Sequence, residues 1–97
     1  MNITIKSNKE KLTNELKSYT YKKLEKLTPH QDNITRAQII YSSERLKKQA
    51  EAIINMPGTQ LVSHAEGDSL QAAMDKLIDI MLRQIVKHKE THREKFQ

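Results

Sequence analysis

His88 and His92, one helical turn apart, are the pair in this chain best spaced to hold a metal, and their surroundings argue against it. The segment reads His88-Lys89-Glu90-Thr91-His92, with Lys89 where a zinc protease needs its glutamate base. Lys87, Lys89 and Arg93 would also repel a dication. Ser63 and His64 adjoin in a run that reads as a strand, so they point to opposite faces and cannot pair as nucleophile and base. His30, beside Pro29, reads as a loop residue. The two glycines, Gly58 and Gly67, leave no phosphate-cradling loop, and without cysteine there is no disulfide, thiolate metal site or cysteine nucleophile. No catalytic constellation, metal site, cofactor site or small-molecule pocket is expected, and the chain reads as a non-enzyme.

What remains is cationic chemistry. Arg83, Lys87 and either Glu90 or Glu94 follow one another at helical spacing, and Lys89 and Arg93 make a neighbouring i,i+4 row. Lys22, Lys23 and Lys26 crowd the end of an earlier helical run, where cations also suit the negative end of the helix dipole. Together with His88 these are the candidate contacts for a polyanion, with Lys95 added on charge alone. Tyr19 and Tyr41 fall on core positions, which leaves Tyr21 and Phe96 as the only stacking platforms. Recognition through RNA shape and phosphates is therefore expected over base stacking on a sheet.

The elements that must position these residues follow from periodicity. Asn2 to Lys6 alternates as a strand; Thr13 caps a helix whose Leu16, Tyr19, Leu24 and Leu27 recur until Thr28-Pro29 stops it. Residues 34–43 and 48–56 read as strands, although residues 44–56 also admit a helix on propensity, and the hairpin tip at residues 43–47 has no strong turn signal. Pro57-Gly58 is the clearest turn, within a connection Asn55 to Gln60 that reads about one residue longer than expected. Beyond it, Leu61, Ser63 and Ala65 share one face of a strand, with Val62, His64 and Glu66 on the other. Gly67 frees the backbone, and Asp68 caps the second helix, with Gln71 completing a capping box and acids at the positive dipole end. Its stripe of Leu70, Ala73, Met74, Leu77, Ile78, Met81 and Ile85 is core. The order β-α-β-β-β-α predicts an α+β two-layer sandwich, a four-stranded sheet with both helices on one face.

Ninety-seven residues bound this to one domain, residues 1–97, burying roughly 60–65% of its unfolded surface. The net charge of +5 is concentrated at the two ends: seven lysines against three glutamates in residues 1–30, and five bases against two glutamates in residues 83–97. Residues 61–82 carry one lysine against four acids. If the termini meet in space they form one basic patch. No signal-peptide block or apolar run of membrane length is present, so a soluble cytoplasmic protein without membrane contact is expected. A basic module docking an acidic protein partner is the competing reading.

Ala65-Glu66-Gly67-Asp68, Ala72-Ala73-Met74-Asp75-Lys76-Leu77-Ile78-Asp79 and Leu82-Arg83-Gln84-Ile85-Val86-Lys87-His88-Lys89 resemble the signature of the ribosome hibernation-promoting factors, also called ribosome-associated translation inhibitors. The Asn2-Ile3-Thr4 start and the Leu16, Tyr19, Lys23-Leu24, Lys26-Leu27 pattern agree. The resemblance implies the same β-α-β-β-β-α fold, similar to a double-stranded-RNA-binding domain with an added strand. It implies binding to the small ribosomal subunit and its RNA over the messenger and transfer RNA sites of the decoding region, with translation shut down in stationary phase or stress. Carried over by position, the RNA contacts are Lys23, Lys26, Arg83, Lys87 and Lys89, with Arg93. The chain ends at Gln97, without the second domain of long forms or the tail of forms that keep ribosomes single. A short form is therefore expected, one associated with paired inactive ribosomes where a separate ribosome modulation factor is present.

Overall fold

The computed structural model describes residues 1–8 and 10–94, with side chains described as far as Glu90. Strands β1 (Asn2–Asn8), β2 (Arg36–Glu44), β3 (Lys47–Met56) and β4 (Thr59–Gly67) form one sheet in the order β1-β2-β3-β4. β1 runs parallel to β2, and the other pairs are antiparallel. Helices α1 (Asn14–Leu24) and α2 (Leu70–Glu94) cover one face, as the apolar patterns require.

The packing is large on small. The sheet offers Ala37, Ala50, Ala52, Ser63 and Ala65 beside Ile39, Tyr41 and Ile54. Into this surface α2 lowers Met74, Leu77, Ile78, Met81 and Ile85, each at most 1% exposed. Alanines keep the strands low, so a helix with bulky residues approaches without leaving voids. Tyr41 is buried among them. Thr20 Oγ1 donates its one hydrogen to the Leu16 carbonyl at 2.7 Å, so the Tyr41 hydroxyl donates to Thr20 at 2.5 Å.

Several local expectations are corrected. Thr13 does cap α1, accepting from the Leu16 amide at 3.1 Å. Pro29 does not stop the chain's helicity, however: at Glu25 the α-helix tightens into a 3-10 helix that runs through Pro29 to Asn33. In an α-helix the proline ring would clash with the Glu25 carbonyl, whereas 3-10 geometry stacks positions i and i+3 and keeps Leu24 and Leu27 buried together. Residues 44–56 form a hairpin, not a helix; its tip is Arg45-Leu46, with Arg45 in the left-handed region at φ 58°. The Pro57-Gly58 turn is a regular two-residue connection joining paired Met56 and Thr59, with Gly58 at φ 78°, so no residue is in excess.

The cap of α2 is Ser69, whose Oγ accepts from the Ala72 amide at 3.0 Å, so the first turn contains no acid and Asp68 precedes the cap. Gly67 is required for closeness: a Cβ there would lie 2.8 Å from the Ala73 nitrogen. That closeness folds α2 straight back over the sheet.

Candidate nucleic-acid interface

The strand order fixes the direction of both helices. β2 and β4 point the same way, because each is antiparallel to β3, and β1 is parallel to them. Each helix runs back along the sheet, α1 between β1 and β2 and α2 after β4, so the two are parallel, with the end of α1 beside Asp75 in the first turns of α2 and the 3-10 helix that follows reaching Lys89. The amide of Asn2 donates to the Thr35 carbonyl at 3.2 Å, which brings the start of the chain there too. Lys22 is exposed on α1, Lys26 on the 3-10 helix that follows it, and Arg83 and Lys87 on α2. Arg83 Nε is steadied by the Asp79 carbonyl at 3.4 Å, one turn back on the same helix.

Lys23 is placed differently. Its ammonium pairs with Asp75 on α2 at 3.1 Å and stands 5.4 Å from the Tyr19 ring centre. Asp75 also accepts from the Tyr19 hydroxyl. That hydroxyl and then the Lys23 ammonium hold the Asp75 carboxyl below the ordinary carboxylate range, and the same carboxylate raises Tyr19 and Lys23. The cluster clasps the helices together, and both partners of the ion pair remain partly open to solvent.

Lys89 is likewise engaged. At 100° per residue it lies about 160° around α2 from Lys87, so the two expected rows are not neighbours. It turns toward the 3-10 helix, where its ammonium donates to His30 Nδ1 at 2.8 Å. His30 is therefore a structural contact of the 3-10 helix, not a loop residue. Burial, then the Lys89 charge, lowers its pKa below the ordinary 6.5.

The sign of the resulting pH dependence follows directly. Between the lowered folded value and the ordinary unfolded one, the unfolded chain binds the proton more readily, so this contribution is complete above about 6.5. It is lost as the pH falls below that. Thermal melting from pH 8 to 5 should show His30→Gln, which still accepts from Lys89, with a shallower acid-side loss than the wild type. Identical slopes would show that His30 does not titrate in this way.

His88 is half-buried on the flank of α2 facing β4. Arg93, Lys95 and Phe96 lie outside the described side chains. Ser63 and His64 point to opposite faces, buried and exposed respectively. Among the described residues no three His, Asp or Glu side chains gather as a metal site requires, and no helix is long and apolar enough to cross a membrane. Asp75, Tyr19 and His30, which organise two of the expected cations, escaped the sequence reading because each is an ordinary residue whose partner lies on another element.

Residues 3–93 match the family model described as Sigma 54 modulation protein / S30EA ribosomal protein. The chain is 36% identical over 97 residues to the ribosome hibernation promoting factor of Azotobacter vinelandii, covering all of this chain and 91% of that protein. Among solved structures it is similar to a ribosomal subunit interface protein from Coxiella burnetii, with TM-score 0.88 and 29% identity over 93% of this chain and 99% of that one. The Thermus thermophilus Protein Y N-terminal domain superposes with TM-score 0.82 and 28% identity, covering 91% and 99%.

Proposed function

This chain belongs to the Sigma 54 modulation protein / S30EA ribosomal protein family, that of the ribosome hibernation promoting factors, and on that premise we propose that it binds the small ribosomal subunit through ribosomal RNA at the decoding channel. Bound there, it excludes messenger and transfer RNA, and translation stops in stationary phase or stress. The observation that supports this reading is the parallel alignment of the helices, which sets Lys22 and Lys26 exposed beside the first half of α2 and Arg83 and Lys87 exposed along its second. These four are the principal phosphate contacts. Lys23, His88 and Lys89 act from the flanks, and Arg93 follows Lys89 at i,i+4 spacing. The protein works in the cytoplasm by occupancy and not by catalysis, and it favours paired inactive ribosomes where a ribosome modulation factor acts on the same particle.

Co-sedimentation with purified small subunits across a salt series tests the reading. With about five phosphates neutralised, log affinity should fall against log salt with a slope of roughly −3.5 to −4.5. In a cell-free translation reaction, synthesis should drop in proportion to ribosomes occupied, added messenger and initiator transfer RNA should compete, and ribosomal RNA should stay uncut. A flat salt response would overturn the electrostatic contact. Inhibition far below one protein per ribosome, or cut RNA, would overturn occupancy. Binding to an acidic protein with no affinity for subunits would favour an interaction module instead.

A further inference from the structure

Asp75 holds two of the residues that line a cleft of about 420 Å³ on the solvent side of α1, bounded by Tyr19, Lys22, Lys23, Glu25 and Lys26. From this geometry we infer that Asp75 is an internal stand-in for phosphate: it keeps Lys23 in reserve, and RNA takes the ammonium over by exchanging one anion for another. Asp75 is thus a positioning residue that acts through Lys23. The inference rests on the RNA-binding reading above and deepens it.

Three observations carry it. The first is convergence. Tyr19, Lys22, Lys23 and Lys26 fall at i, i+3, i+4 and i+7, so they share one face of the run from α1 into the 3-10 helix, and all four line the same cleft. The flexible lysine stem lets the Lys23 ammonium swing from Asp75 toward an anion held by Lys22 and Lys26 without movement of the backbone. The second is the balance at the carboxylate. Asp75 accepts from the Tyr19 hydroxyl as well as from Lys23, the latter at 3.1 Å. When the ammonium leaves, the hydroxyl stays behind, and the Asp75 side chain, 48% exposed, gains water in its place. A pair this open to solvent is weak, so a phosphate competes with it for the ammonium. The third is charge. The Tyr19 hydroxyl, Lys23 and, at longer reach, Lys26 all favour the Asp75 carboxylate. In the free protein that carboxylate offsets repulsion among the clustered lysines. Were it to keep Lys23 in the complex, it would neutralise the charge that RNA needs.

The experiment is a double-mutant cycle. Small-subunit affinity is measured at about 0.1 M salt for wild type, Asp75→Asn, Lys23→Gln and the pair combined, with a melting curve for each. Asparagine keeps an oxygen for the Tyr19 hydroxyl and removes only the charge. Asp75→Asn should bind about threefold to tenfold more tightly than wild type, the effect of removing a carboxylate that opposes a nearby phosphate at a solvent-exposed site. Lys23→Gln should cost about threefold or more beyond its wild-type cost when made in the Asp75→Asn background, because there Lys23 has no competing anion. Glu25→Gln removes the same charge from the cleft wall and should leave the cost of Lys23→Gln unchanged. Tyr19→Phe is the independent variant if Asp75→Asn melts early: without the hydroxyl, Asp75 holds Lys23 harder, and binding should weaken about twofold to fivefold. Weaker binding by a folded Asp75→Asn, or a cost of Lys23→Gln that is equal or smaller in its background, would overturn the inference and leave Asp75 as a brace. Tyr19→Phe that binds like wild type would overturn it too. Absence of any wild-type binding to subunits would instead overturn the RNA-binding reading.

Discussion

Arg83→Glu combined with Lys87→Glu should abolish association with the small ribosomal subunit while the domain stays folded. Both side chains are exposed, and neither touches the core that α2 shares with the sheet. Among the described residues, Arg83 hydrogen-bonds to a carbonyl of its own helix, so little native structure is lost with it. At about 0.1 M salt, a slope of about 0.9 per phosphate makes each lost contact worth roughly eightfold in affinity, and two worth roughly sixtyfold. Reversing the charges adds repulsion from the same phosphates, which takes the total past about a hundredfold. Subunit co-sedimentation and thermal melting decide the matter. A double variant that still binds within tenfold of wild type would show that the anion-binding surface lies elsewhere.

Leu77→Ala should have the opposite profile, costing about 2–5 kcal/mol of stability through transfer and cavity terms together. Leu77 is fully buried, in the middle of the stripe that α2 presses onto the alanine-rich floor. That floor is built from backbone and short side chains, so it cannot rise to fill the space, which favours the upper half of the range. The basic end is untouched, and at temperatures where the variant remains folded its subunit affinity should match the wild type. Denaturant unfolding monitored by circular dichroism gives the loss. A change under 1 kcal/mol would mean that the two layers can collapse onto each other, contrary to the packing described.

The long 3.6-residue stripe made α2 readable, and β3 and β4 were readable because every second residue from Ala50 and from Leu61 is small or apolar, although Ile53 and Val62 place apolar groups on the outer face and Ser63 a polar one on the inner. What escaped the sequence depended on distance or on choices between near equals. Asp68 and Ser69 are both good capping residues, and the contact between Gly67 and the start of α2 selects the second. Leu24 and Leu27, three apart, fit an α-helix and a 3-10 helix alike, so Pro29 decides the geometry without ending the helix. At the β2–β3 tip, Arg45 adopts a positive φ that no Gly or Asn advertises. In the candidate interface, the row Arg83–Lys87 was legible as spacing on one helix. The engagement of Lys23 by Asp75 and of Lys89 by His30 was not, because each pair joins separate elements that only the tertiary fold brings together.

The order of elements also governs when the binding surface comes into being. The core has its floor in the sheet and its lid in α2, which is the last element in the sequence. A nascent chain that has released β1 through β4 still lacks Met74, Leu77, Ile78, Met81 and Ile85, and holds an uncovered apolar sheet. Lys22 and Lys26 are by then synthesised but have no parallel partner helix to complete their patch. Only when α2 clears the exit and docks does the core close, and the same docking step adds Arg83 and Lys87 to the folded surface. Display of the basic end is thus coupled to completion of the fold, so a half-made copy does not present the surface proposed to grip the machine that is making it.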